Sequence, residues 1–232
     1  MRSSRPRTAA VINHESADIV ALQEVERGSS RLGRKDLVQE LARLTQMNYV
    51  FGKNFETNDA EYGNAILTRF PILHQDNLLY QMLHPRRQRS LMEVVLDVEG
   101  HEVLVLNTHL DHAPDDQQKR LNVQEINQAR QQYAHLPVIL CGDFNSTPDT
   151  PTHQWLGENF ADVWERLNAG KGYTSRRLHH PRRIDYVFTG KEEALVPLEA
   201  RVPHSIASDH LPVVAFLGFA DHSQSSPATS IR

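Results

Sequence analysis

The sequence predicts an α/β fold, a four-layer α/β/β/α sandwich of two mixed β-sheets flanked by helices. Three observations carry this expectation. Short apolar runs rich in β-branched residues recur along the 232-residue chain, two stretches between them have helical periodicity, and one pair of runs is joined as a hairpin while others follow helical crossovers. Sheet packed on sheet, with helices outside, accommodates about ten strands of such mixed origin.

Taken in order, DIVALQE at 18–24 is the first apolar run and reads as a strand. Leu37 to Met47 places apolar residues at 37, 38, 41 and 44, the spacing of one helix face. NAILTRF at 64–70, SLMEVVLDV at 90–98 and HEVLVLNTHL at 101–110 read as strands. The last two are joined at Glu99-Gly100, a pair with room for positive φ, and so form a hairpin. Asp115 to Tyr133 is polar and Gln-rich but carries Leu121, Val123, Ile126 and Ala129, which predicts a second amphipathic helix. PVILCGDF at 137–144, IDYVFT at 184–189 and LPVVAFL at 211–217 complete the strands. Residues 1–219 read as one domain, and ADHSQSSPATSIR at 220–232, Ser-rich and without periodicity, as a disordered tail.

Composition narrows the function classes. A hydrophobic share of 39% and a charged share of 23% suit a globular protein, and no run approaches the roughly 18 apolar residues that span a bilayer. Behind the basic MRSSRPRT there is only AAVI before His14 and Glu15, too short for a secretory core, so a cytoplasmic location is the expectation. Cys141 is the sole cysteine, which excludes an internal disulfide and any multi-thiolate metal site within one chain. A net charge of −4 gives no global attraction to a polyanion, although a local basic patch can still hold a phosphate.

Acidic and histidine residues stand at the ends of the predicted strands: Glu24, His109, Asp143 with Asn145, Asp185, and Asp209-His210. One such residue is more simply a turn former, but five coincidences are less plausible. In Gly142-Asp143-Phe144-Asn145 the two polar side chains are two apart, so an extended chain points both the same way while Phe144 turns to the core. Asp209 and His210 are adjacent and converge only if the chain turns there, a pairing suited to one metal ligand and one imidazole. Oxygen ligands of the Glu, Asp and Asn type select Mg²⁺ first, with Mn²⁺ as the alternative.

LQEVE, YGNAILTRFPI, NTHLDH, GDFNSTPDT, RRIDYVF and SDHLPVVAF, running from about residue 17 to 217, resemble the ordered motifs of the endonuclease/exonuclease/phosphatase superfamily, the deoxyribonuclease I-like fold. The resemblance implies a metal-dependent phosphoester hydrolase that uses activated water. It makes Glu24 the principal metal ligand, Asp143 the group that orients or deprotonates the water, and Asn145 a donor to a phosphate oxygen. His109 and His210 become the imidazoles flanking the phosphate. Asp209 becomes a metal ligand or a group that orients a histidine, and Asp185 either binds a second metal or fixes a histidine. Asn64 matches a substrate-proximal position, and Arg89, Arg182 and Arg183 are candidate phosphate clamps. Asp111, His112, His179 and His180 have no matching role.

Members of that superfamily begin with a buried strand ending in an asparagine, whereas TAAVINHES reads as the helix that follows it, so the first strand is expected to be missing. This departure supports a second reading, a catalytically impaired or truncated phosphate-binding member of the same fold. The joint presence of Glu24, Asp143 and His210 argues against it, because binding alone does not require all three. The substrate class stays open among a small phosphoester, a lipid head group and nucleic acid. The Arg-Arg pairs at 86–87, 176–177 and 182–183 keep the last of these in play, and a monomer is expected.

Overall fold

A computed structural model describes residues 5–113, 116–176, 180–192, 194–220 and 230–231. The predicted layers are present. Helix α1 (Arg5–Glu15) leads into strand β1 (Ile19–Arg27), followed by α2 (Leu37–Thr45), β2 (Asn48–Glu56) and β3 (Glu61–Thr68). Asp36 caps α2, its carboxylate accepting from the amides of Val38 and Gln39. Next come β4 (Ile72–Leu79), β5 (Ser90–Val98), β6 (His101–His109), α3 (Asp116–Gln132) and β7 (Val138–Asp143). The chain continues through α4 (Pro151–Leu156), β8 (Phe160–Asp162), α5 (Val163–Arg166), β9 (Asp185–Gly190), β10 (Leu195–Arg201), β11 (Val214–Phe219) and β12 (Ser230–Ile231). The Glu99-Gly100 turn has both residues at positive φ (54° and 90°), the twist a two-residue hairpin loop requires.

One sheet has six strands in the order β4-β5-β6-β7-β9-β8 and is mixed, because β6 and β7 pair in parallel across the α3 crossover while its other pairs are antiparallel. The opposing layer is divided into β1-β3-β2 and β10-β11-β12, each antiparallel. Among the described residues no strand precedes α1, and the edge of β1 that faces away from β3 is met only by an isolated bridge between Arg27 and Asp36. The second layer is thus two three-stranded sheets rather than the single mixed sheet expected. Three apolar clusters fill the spaces between layers. One lies between the six-stranded sheet and α3, around Leu106, Ile126 and Phe188. Another lies between the sheets, around Ile66, Met92 and Val105, and the third between β1, β3 and the helices α1 and α2, around Val38, Ala65 and Leu67.

No helix among the described residues is long and apolar enough to cross a membrane. Of the tail expected from residue 220, residues 221–229 and 232 lie outside the described residues; Ser230 and Ile231 pair with Gly218 and Leu217.

Candidate active site

The C-terminal ends of β6 and β7 carry the centre of the site. Their parallel register sets His109 beside Asp143, and the antiparallel β7–β9 pairing sets Asp143 opposite Asp185. Only glycine serves at 142, because a Cβ there would lie 1.9 Å from the Thr108 carbonyl oxygen. Beyond β7 the chain bends sharply. Asn145 adopts φ 48°, and its amide donates to the Asp143 carboxylate at 2.8 Å, an Asx turn. Phe144 is buried in the core, packed edge-on to Tyr186 and Phe188, while Asp143 and Asn145 both reach His109, brought there by the turn rather than by the extended alternation the sequence suggests.

His109 is almost fully buried, and a donor faces each of its ring nitrogens. Arg89 Nη1 lies 3.0 Å from Nδ1, and the Asn145 amide nitrogen 3.1 Å from Nε2. A neutral imidazole accepts at only one nitrogen, so one of these contacts is a hydrogen bond and a ring proton crowds the other. Burial first, and the Arg89 charge second, push the His109 pKa down to about 3, so the ring is neutral. Arg89 is itself buried, and its Nη1 also lies 3.8 Å from Glu24 Oε1.

Glu24 reaches the site from a β-bulge. The β1–β3 register shifts between Leu22 and Val25, Glu24 has φ 54°, and its carboxylate is mostly solvent-exposed, 3.8 Å from His109 Nδ1. Asn107, fully buried, fastens this bulge across the inter-sheet space. Its amide donates to the carbonyls of Leu22 and Ala65 and its oxygen accepts from Gln23.

Across the site, His210 Nδ1 sits 2.9 and 3.1 Å from the two Asp185 oxygens. That hydrogen bond, the largest influence, raises the His210 pKa to about 9 and keeps the imidazole cationic at neutral pH. Burial, reinforced by the Asp185 charge, lifts Asp143 well above the usual carboxylate range. Asp143 lies 3.6 Å from His109 Nε2 and 3.9 Å from His210 Nδ1, so it stands between a neutral and a charged imidazole. Buried Thr174 holds both flanks: its hydroxyl accepts from the amides of Ile184 and Asp185, and its carbonyl accepts from the Leu211 amide.

The structure therefore gathers Glu24, Arg89, His109, Asp143, Asn145, Asp185 and His210 into one continuous group. Four predicted residues, Asp209, Asn64, Arg182 and Arg183, fall outside it. Asp209 is exposed and accepts only from the Ser208 hydroxyl among the side-chain bonds described, because adjacent side chains diverge and His210 is the one that turns inward. Asn64 is fully buried on β3, with neither amide atom hydrogen-bonded to described residues, so it lies inside the protein rather than on the surface of the site. Of the candidate arginine clamps only Arg89 faces the site. Arg183 is buried against Asp162 and Glu165 and stacks 4.7 Å over Tyr186, and Arg182 is exposed.

Lys119 was not anticipated. Its ammonium, buried on α3, donates to the Asn145 carbonyl at 2.8 Å and to the Ser146 hydroxyl at 3.0 Å, bracing the bend after Asp143. A signal for it exists, since 119, 122, 123, 126 and 129 form one helical stripe and all five are buried.

Asp143, Asp185 and His210 offer ligand atoms within 4.8 Å of one another, and with exposed Glu24 nearby the donors are mainly the hard oxygens that suit Mg²⁺ or Mn²⁺. A second such group, His153, Asp162 and Glu165, is already neutralised by Arg183 and is an ion-pair network by its chemistry.

The sequence profile of the endonuclease/exonuclease/phosphatase family matches residues 2–210. The chain belongs to this family. Its members are hydrolases acting on phosphoester bonds. Similar proteins include carbon catabolite repressor protein 4 homolog 3 of Arabidopsis thaliana, 23% identical over 159 residues that make up 64% of this chain and 34% of that protein. The protein YbhP of Escherichia coli is 24% identical over 90% of this chain and 87% of its own. The crystal structure of an endonuclease/exonuclease/phosphatase from Beutenbergia cavernae superposes with a TM-score of 0.74 at 27% identity, covering 92% of this chain and 65% of that one. The chain thus spans about a third of the Arabidopsis relative and about two thirds of the B. cavernae structure.

Proposed function

We propose that this protein is a divalent-metal-dependent phosphoester hydrolase in which Asp143 activates the attacking water. The observation that carries the reading is the position of Asp143, buried and basic, between neutral His109 and the cationic His210–Asp185 pair. Groups pushed apart in proton affinity within one site are suited to acid and base roles. Water attacks phosphorus and passes its proton to the Asp143 carboxylate. The bond from phosphorus to the leaving oxygen breaks, and that oxygen takes a proton from the His210 imidazolium. Arg89 and the Asn145 amide supply donors for the non-bridging oxygens as they gain charge. Asp185 keeps His210 oriented and charged.

Glu24 would hold the cation, Mg²⁺ or Mn²⁺, with the Asp185 carboxylate as a further oxygen donor and Asp143 left to act as the base, while Asp209 sits away from this group. A bound divalent ion would neutralise phosphate charge and fix the scissile group. The open rim around Glu24 and the chain's −4 charge fit a compact phosphoester at least as well as a nucleic-acid duplex. The test is Asp143→Asn, an isosteric change that removes the base. It is expected to lower kcat by about 10²-fold or more with an unchanged circular dichroism spectrum. Wild-type turnover by this variant would remove Asp143 from the chemistry.

A further inference from the structure

Strand β4 forms one edge of the six-stranded sheet, and among the described residues no strand pairs with its outer side. Exposed apolar side chains gather there. Of the seven large ones exposed among the described residues, Leu73, Leu78 and Leu79 lie on β4 and Leu83 on the loop that follows it, with Leu73 and Leu79 at 51% and 56% exposure. The backbone is open as well. Tyr80 donates its amide to the Arg89 carbonyl, so by the alternation of an antiparallel pair the amides and carbonyls of Gln75, Asn77 and Leu79 point away from β5. The Asn77 amide meets the Asp76 carboxylate of its own strand at 2.7 Å. With the sequence ILHQDNLL, β4 carries no lysine, arginine or proline to turn a second strand away, and its bulge at Ile72–His74 leaves residues 74–79 in regular register.

The charges on this edge select the partner. Asp76 is the cross-strand neighbour of Glu93, which is buried with its Oε1 lacking a hydrogen bond to described residues, so two carboxylates stand side by side on the face that meets α3. His74, exposed, lies on the same face, two residues before Asp76. A second copy running antiparallel across a two-fold axis at Gln75 sets the His74 imidazole of each copy opposite the Asp76 carboxylate of the other. The same register puts Leu73 diagonal to Leu79 of the second copy, within reach of a leucine side chain. Axes at His74 or Asp76 would set like groups against each other, and an axis at Asn77 would leave both without a charged partner. The edge is therefore self-complementary at Gln75. We propose that it is a dimer interface, in which β4 pairs antiparallel with β4 of a second copy about Gln75 and joins the two six-stranded sheets into one. This replaces the monomer that the sequence suggests. Because β4 ends where β5 begins, at the catalytic end of the sheet, the antiparallel pairing sets the two active sites at opposite ends of the joined sheet.

The test is sedimentation equilibrium of the full chain from about 1 μM to about 1 mM, where the wild type is expected to pass reversibly from monomer to dimer. His74→Asp and Asp76→Lys each place like charges across the axis, twice per dimer, and are expected to weaken association at least about tenfold. The double variant, His74→Asp with Asp76→Lys, restores opposite charges in the same register and is expected to recover most of the lost affinity. Both side chains are exposed, so circular dichroism is expected to match the wild type in all three variants. A chain that stays monomeric at every concentration, single variants that dimerise as the wild type does, or a double variant no better than the singles would each overturn the proposal. None of these readings depends on hydrolysis, so the proposed activity stands or falls separately.

Discussion

Replacing Lys119 with methionine isolates the bracing of the catalytic bend. The substitution keeps the length and apolar stem of the side chain but removes the ammonium that donates to the Asn145 carbonyl and the Ser146 hydroxyl. Hydrogen bonds to charged groups contribute about 1.5–3 kcal/mol each, offset here by relief from burying the ammonium, so a net loss of about 2 kcal/mol is expected. Lys119 lies behind the bend, and Asn145 holds φ 48° there, a conformation that persists only when its surroundings enforce it. Loosening it displaces the Asn145 amide from the site, a misplacement expected to lower kcat about 10–100-fold with KM little changed. The assay is urea denaturation alongside steady-state hydrolysis of a chromogenic phosphoester, with Lys119→Arg as the partial rescue. A methionine variant with lowered stability but wild-type kcat would show that Lys119 supports the fold alone, and the positioning argument would be wrong.

Other consequences follow from the same geometry. Arg183→Leu takes the guanidinium from the buried Asp162 carboxylate, which keeps His153 and the Trp164 amide as partners, and is expected to destabilise the protein by about 1.5–3 kcal/mol in chemical denaturation. In metal-free protein His210 should titrate near pH 9 by ¹³C NMR, and Asp185→Asn should return it toward its ordinary 6.5. Because the folded pKa is the higher one, the stability this pair provides is fully present below about pH 6.5 and is lost as pH rises through about 9. Stability measured from pH 6 to 10 should therefore fall in the wild type and stay flatter in Asp185→Asn. Glu24→Ala should abolish metal-dependent hydrolysis while circular dichroism is unchanged, since the side chain is mostly exposed and supports little packing.

The sequence made the inner strands legible and the edges obscure, for reasons of burial. β5, β6 and β7 are buried on both faces and read as continuous β-branched runs. The edge strand β4 carries His74, Gln75 and Asp76 on exposed positions and has no such run, and β10 contains Pro197 at a bulge that only an edge tolerates. β2 was lost because Gly52, Lys53 and Asn54 interrupt it.

In the site, residues at strand ends were legible because the strand ends themselves were. Asp143, Asp185 and His210 meet as their places next to β7, β9 and β11 require. What linear order hides is direction. Nothing in Asp209-His210 says which of the two turns inward, and nothing in YGNAILTRFPI says that Asn64 faces the space between sheets. Lys119 and Asn107 were passed over because a buried polar residue on an apolar stripe reads as noise until its partner, far along the chain, is known.

The central claim is tested most directly by assaying hydrolysis of bis-p-nitrophenyl phosphate and p-nitrophenyl phosphate by the purified chain with Mg²⁺, with Mn²⁺ and with EDTA. The account predicts release of nitrophenol that requires the divalent ion, stops with EDTA and is lost in Asp143→Asn. Hydrolysis that persists in EDTA, or a folded protein that cleaves neither ester with either metal, would contradict it.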